Sequence, residues 1–150
     1  ILIDLIQNNA VDINKKNSDG QTAFMLTAQY NINVEVLKGL CEISATVDIN
    51  KQDNDGNTAL MLAALKNTNV EVIQYLYTTF KDKIDINIQN DYGDTALMLA
   101  VKHKKKKIFE YLCDKFKDTI DSKIQNRHGD TAFLLTAKTK NEYKIKKYLD

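Results

Sequence analysis

The stretch Asp53-Asn-Asp-Gly56-Asn-Thr58-Ala-Leu-Met-Leu-Ala-Ala64 decides the fold, because it occurs four times. The other copies run from Asn17 to Ala28 (NSDGQTAFMLTA), from Asn90 to Val101 (NDYGDTALMLAV) and from Asn126 to Ala137 (NRHGDTAFLLTA). Their glycines fall at 20, 56, 93 and 129, spaced by 36, 37 and 36 residues. A second marker precedes each copy: Asp12-Ile-Asn, Asp48-Ile-Asn, Asp85-Ile-Asn and, decayed, Asp121-Ser-Lys. A period of this length is the signature of a repeat architecture.

Each part of the unit has a physical reading. Asn/Asp-x-x-Gly is a tight turn in which Gly supplies a positive φ. Thr22, Thr58, Thr95 and Thr131 follow two residues later, placed to cap a helix by accepting a backbone N–H. Short apolar helices are predicted over 23–28, 59–64, 96–101 and 132–137, with small residues such as Ala63 and Ala64 allowing close approach of a neighbour. Polar turns follow at 31–33, 67–69, 104–106 and 140–141. A second helix then carries apolar residues at a spacing near 3.6: Val34, Val36, Leu37 and Leu40; Val70, Val72, Ile73 and Leu76; Ile108, Phe109 and Leu112; Tyr143, Ile145, Tyr148 and Leu149. No single unit can bury these faces alone, so stability has to come from stacking.

The pattern resembles the ankyrin repeat, whose signature is Gly-x-Thr-Pro-Leu-His-x-Ala-Ala followed later by Gly-Ala-Asp-Val-Asn. Gly56-Asn-Thr58-Ala-Leu60-Met-Leu-Ala63-Ala64 and Asp48-Ile49-Asn50 carry the resemblance, which covers essentially the whole chain. It implies an all-α solenoid of stacked helix–turn–helix units with hairpin loops projecting from one edge. Helical repeats of the tetratricopeptide type lack this turn and linker. The expected division is the second helix of a preceding repeat over 1–11, then repeats at about 12–47, 48–84, 85–120 and 121–150, as part of a longer array.

The chain also departs from the signature. Its Pro is Ala23, Ala59, Ala96 and Ala132 here, and its His is Met25, Met61, Met98 or Leu134. In the family that His hydrogen-bonds between repeats. The glycine before Ala-Asp is replaced by Ala10, Thr46, Lys83 and Thr119, and the period exceeds the usual ~33 residues.

Among the 150 residues 43% are apolar and 27% charged, which suits one compact domain. Proline is absent, and 20 Lys accompany a single Arg, an imprint of AT-rich coding. No apolar run approaches a membrane span and no leader is visible; the sequence specifies neither compartment nor oligomeric state, with the cytoplasm and a monomer as default expectations. The net charge of +1 hides an asymmetry: residues 1–99 hold 7 Lys against 13 acids, while residues 100–150 hold 14 bases against 7 acids.

Several chemistries are weighed and set aside. Cys41 and Cys113 occupy equivalent positions two repeats apart, about 16–20 Å if stacked helices lie roughly 8–10 Å from one another, which is beyond disulfide reach. Asp53-Asn-Asp-Gly fails as a calcium loop, because Lys51 and Leu62 would fill the first and last ligand positions. Neither His103 nor His128 recurs with a Cys or carboxylate at metal-ligand spacing. No phosphate-binding glycine loop and no nucleophile–base motif is present. No catalytic residue, metal site or cofactor is therefore expected.

What the resemblance implies is a scaffold that binds an as yet unidentified protein through its hairpin tips and the exposed face of its first helices. The tip positions are Lys16, Ser18, Asp19 and Gln21; Gln52, Asn54, Asp55 and Asn57; Gln89, Asp91, Tyr92 and Asp94; Gln125, Arg127, His128 and Asp130. The first-helix positions are Gln29, Tyr30, Leu65, Lys66, Lys102, His103, Lys138 and Thr139. These vary between copies while Thr58, Ala63 and their equivalents barely change, and Tyr30, Tyr92 and Arg127 are the residue types that anchor interfaces. Two alternatives stand beside this reading. One is electrostatic binding of nucleic acid or an anionic surface through the basic run Lys104-Lys-Lys-Lys107, which lacks interleaved arginines and aromatics. The other is a targeting role for an enzyme encoded outside this segment.

Overall fold

The computed structural model describes residues 12–30, 33–43 and 46–139, in seven helices and, among these residues, no strand. The first helices are α1 (Ala23–Tyr30), α3 (Ala59–Lys66), α5 (Ala96–Lys102) and α7 (Ala132–Lys138); the second helices are α2 (Val34–Ile43), α4 (Val70–Phe80) and α6 (Lys106–Lys115). First helices stack on one another in the order α1, α3, α5, α7, and second helices in the order α2, α4, α6, giving two layers. This is an all-α repeat solenoid. The expected helix over 1–11 and the last second helix, with Tyr143, Ile145, Tyr148 and Leu149, lie outside the described residues.

Local chemistry starts each first helix. The hydroxyls of Thr22, Thr58, Thr95 and Thr131 accept the amides of Met25, Met61, Met98 and Leu134 at 3.2–3.4 Å. These helices have only 7 or 8 residues, too short to persist alone in water. Burial holds them instead. All six residues from Ala59 to Ala64 are buried, as are all six from Ala96 to Val101, so the two central helices are enclosed on every side. The second helices are amphipathic: α4 buries Val72, Ile73, Leu76 and Phe80, and α6 buries Ile108, Phe109, Leu112 and Cys113. Val36 is a correction to the expected stripe. It is 42% exposed, whereas its equivalent Val72 is fully enclosed between two described repeats.

The methionines that replace the family histidine have become core. Met25, Met61 and Met98 are buried at the junctions between first helices, where a flexible thioether fills irregular space. A different residue restores one polar tie there: the Asn67 side chain donates to the Ala28 carbonyl of the preceding repeat at 2.8 Å, in a buried position. Leu134, at the same place in α7, is 46% exposed, because no described residue stacks over it.

Cys41 is half-buried and Cys113 buried, both as free thiols. Burial pushes the Cys41 thiol above its ordinary value, against a smaller opposing effect of its hydrogen bond with Tyr75. The Tyr75 phenol is in turn pushed up to about 12, first by burial and then by Cys41. Neither group is poised for nucleophilic work near neutral pH.

The turn glycines have two separate constraints. Gly20, Gly56, Gly93 and Gly129 all have φ between 74° and 78°. A Cβ on Gly56 would also sit 2.9–3.0 Å from Asn90 and Asp91 of the next turn, while one on Gly129 would meet nothing within 4 Å among the described residues. Gly129→Ala is therefore expected to cost about 1 kcal/mol, for the backbone conformation alone. Gly56→Ala adds overpacking of backbone on backbone and should cost about 3 kcal/mol. Urea denaturation of both variants measures the difference.

Candidate binding surface

Each hairpin tip is first closed on itself. The side-chain oxygen of Asp53 accepts the amides of Asp55 and Asn57 at 3.0 and 2.7 Å, and that of Asn90 accepts Tyr92 and Asp94 at 3.0 and 2.9 Å. Asn17 and Asn126 repeat this arrangement. An Asx oxygen that holds two amides at once fixes the loop without any help from a strand.

The tips are then joined to one another. The amides of Asn54, Asp91 and Arg127 donate to the carbonyls of Asp19, Asp55 and Tyr92, each in the preceding repeat, at 2.9–3.1 Å. Side chains add a parallel ladder. Lys16 donates to the Gln52 carbonyl at 2.8 Å, Gln52 to the Gln89 carbonyl at 3.2 Å, and Gln89 to the Gln125 carbonyl at 2.9 Å. Asn54 reaches the Ser18 carbonyl at 2.8 Å. A further ladder runs along the linkers, where Asn50 and Asn87 of the Asp-Ile-Asn markers donate to the carbonyls of Lys83 and Thr119. The same two side chains accept the amides of Asp85 and Asp121.

The residue closing one turn also meets the residue opening the next, and the pairs match donor to acceptor. Gln21 donates to Asp53 at 3.4 Å; Asn90 donates to Asn57 at 2.9 Å; Asn126 donates to Asp94 at 3.0 Å. The donor sits on the earlier repeat where the later one is Asp, and on the later repeat in the other two. Lys102 adds an ion pair to Asp94 at 2.6 Å, and Lys138 repeats it with Asp130.

These bonds correct the expected contact set. Asn57, Asp94 and Asp130 are buried, as is Gln29, so they hold the turns and first helices together and are not offered to a partner. Gln21 is half-buried and committed to Asp53. Lys16, Gln52, Asn54 and Gln89 are exposed, yet their polar ends are spent on the ladders. Ser18, Asp19, Asp55, Asp91, Gln125, Arg127, His128, Tyr30, Lys66 and His103 do present side chains to solvent. So does Tyr92, which at 62% exposed is matched among the large hydrophobic side chains of the described residues only by Tyr30 at 66%. One signal in the sequence pointed to the buried set: at fixed offsets of 32–33 residues, the amide and carboxylate types at these positions interchange in compensating pairs.

The exposed residues are zoned by charge. Asp19, Asp55 and Asp91 make the tips acidic along the first three repeats, and Arg127 makes the fourth basic. At the far end of the first helices, equivalent positions place Tyr30, Lys66, His103 and Thr139 in one row. Burial is the main effect lowering the His103 pKa, followed by the positive charges of Lys66, Lys105 and Lys102, against an opposing Asp94. His103 is consequently neutral at pH 7 in the unliganded protein.

This organisation matches a known family. The sequence model described as ankyrin repeats (3 copies) matches residues 1–90 and 78–149. The chain belongs to the ankyrin repeat family. No curated protein matches it in sequence. Ankyrin repeats are in general protein–protein interaction modules. Among the described residues no group of His, Cys, Asp or Glu could hold a metal ion, and no helix is long and apolar enough to cross a membrane.

One ankyrin turn is strained. After α5, Lys104 donates to the Val101 carbonyl and Lys105 to the Ala100 carbonyl, a Schellman closure that places Lys104 at φ 56°, where Gly is usual. Lys106 and Lys107 then open α6 with no acidic residue in its first turn, against the helix dipole. Lys104→Gly should raise stability by about 1 kcal/mol, read as a higher denaturation midpoint at unchanged slope.

The matched pairs make a sharper prediction. Asn90→Asp faces Asn57, whose amide can turn round and donate, so the loss should stay below about 1 kcal/mol. Asn126→Asp faces Asp94, which has no donor to offer, and should cost about 3 kcal/mol at pH 7. That larger loss should shrink toward pH 4, because a proton between the two carboxylates restores a donor. Chemical denaturation at both pH values checks it.

Proposed function

We propose that this chain is a non-catalytic scaffold that holds one protein partner across its hairpin tips and the exposed ends of its first helices. The observation that carries the proposal is the division of labour at the tips. One set of side chains is consumed in joining the repeats, and a second, variable set stands on that rigid frame exposed to solvent. Preorganised loops lower the ordering cost of association, and Tyr30, Tyr92 and Arg127 offer large contact area with few torsions to fix. The half-buried Cys41, the buried Cys113 and the tight interiors of the junctions fit the same reading.

The test is affinity capture from a lysate of the source cells, with identification by mass spectrometry. The baits are the wild type, Y30A/Y92A/R127A, and a control on the second-helix side, Q74A/K81A. A protein held by the wild type and the control, with recovery reduced about ten-fold or more on the triple variant, is the expected result. Equal recovery on all three baits would remove the tips and first-helix ends as the binding face.

A further inference from the structure

Resting on the scaffold reading, we infer that the row of first-helix ends in the second to fourth repeats, centred on Lys66, His103 and Lys105, receives an acidic, extended segment of the protein partner. Lys66 and His103 occupy the same place in successive repeats, and Lys105 enters from the turn that follows α5. Their mutual influence shows in His103, which feels the positive charge of Lys66 on α3, Lys102 on α5 and Lys105 in the turn; Asp94 is the one acid opposing them there. Lys102 and Lys138 flank the row already paired with Asp94 and Asp130. Lys66 and Lys105 make no ion pair with any described residue. The row is thus positive charge gathered without its own counter-charge.

The acidic tips do not cancel this attraction. Asp19, Asp55 and Asp91 lie at the other end of first helices of 7 or 8 residues. At about 1.5 Å per residue that is roughly 10–12 Å, beyond the Debye length of about 8 Å at physiological salt. A partner therefore reads the two zones separately. Geometry narrows the ligand further. Neighbouring helices stand about 8–10 Å apart, and a chain extended as polyproline II advances about 9 Å in three residues and brings every third side chain to the same face. Carboxylates at every third position of such a segment would each meet one repeat of the row. Nucleic acid fits less well: its phosphates want bidentate arginines and its bases want large stacking rings, and the row formed by Lys66, His103, Lys105 and Lys138 offers no arginine and no ring beyond one imidazole. Carboxylates beside His103 would also offset the lysines and favour its protonated form, so binding takes up a proton.

The test is fluorescence anisotropy of the full chain with a labelled ten-residue peptide carrying Glu at every third position, with dT10 as the nucleic-acid probe. The peptide is expected to bind, to weaken about ten-fold in K66Q/H103Q/K105Q, and to change less than about two-fold in the second-helix control Q74A/K81A. Lowering the pH from about 7.5 to about 6 should tighten binding about two- to three-fold in the wild type and leave H103Q unmoved. A peptide that ignores the row variant overturns the inference, and so does dT10 binding more tightly than the peptide with the same loss in the variant. If a captured protein is lost on Y30A/Y92A/R127A while the peptide ignores the row, the scaffold reading survives and the acidic assignment falls. Peptide binding at the row with no change in capture on that variant gives the reverse.

Discussion

The structure depends on a hydrogen bond that no repeat can make alone: the amide two residues before the turn glycine of the second, third and fourth copies finds its carbonyl in the repeat before. Asn54, Asp91 and Arg127 all satisfy their backbone in this way. Around it, every turn needs its neighbour twice more, once for the matched pair of turn-opening and turn-closing side chains and once for the close approach that Gly20, Gly56 and Gly93 permit. The apolar core supplies most of the stabilisation, as it must for first helices of 7 or 8 residues, but it is non-directional. The polar ladders fix how one unit sits on the next. They also explain how the array manages without the interrepeat histidine of its family: Met25, Met61 and Met98 contribute packing, and the bonds have moved to Asn67, to the linker asparagines and to the glutamines at the tips.

The consequence for function is a surface whose backbone is settled before a partner arrives. An exposed loop ordinarily spends its own conformational freedom on binding. Here the freedom is removed by hydrogen bonds between repeats, while the exposed Tyr30, Tyr92 and Arg127 and the charged zones vary from copy to copy. The strained Lys104 and the lysines opening α6 stand apart from this economy. They lower stability locally and concentrate positive charge in one turn.

Most of the fold was legible in the sequence because its causes are local and repeated. The Asn/Asp-x-x-Gly turn, the threonine cap two residues on and the 3.6-residue spacing in the second helices each act within a few residues, and four copies remove chance. The assignment of surface residues was less legible. Asn57 and Asp94 look like ordinary polar loop residues, and their burial follows from partners 33 and 32 residues away. The Asp94–Lys102 and Asp130–Lys138 pairs span eight residues, from a turn to the far end of a helix, outside the reach of any single-helix rule. Val36 misleads as well: its spacing is that of a core residue, yet it is 42% exposed where its equivalent Val72 is fully enclosed.

The measurement that tests the tip ladder most directly is native-state amide hydrogen exchange at Asn54, Asp91 and Arg127. All three residues lie in solvent-exposed hairpin tips, where an amide bonded only to water exchanges freely. If the ladder joins the repeats, these amides are protected to nearly the same extent as those in the middle of α3 and α5. Exchange at the rate of an open loop would contradict the account, since the tips would then be independent hairpins and the rigid frame beneath the binding surface would not exist.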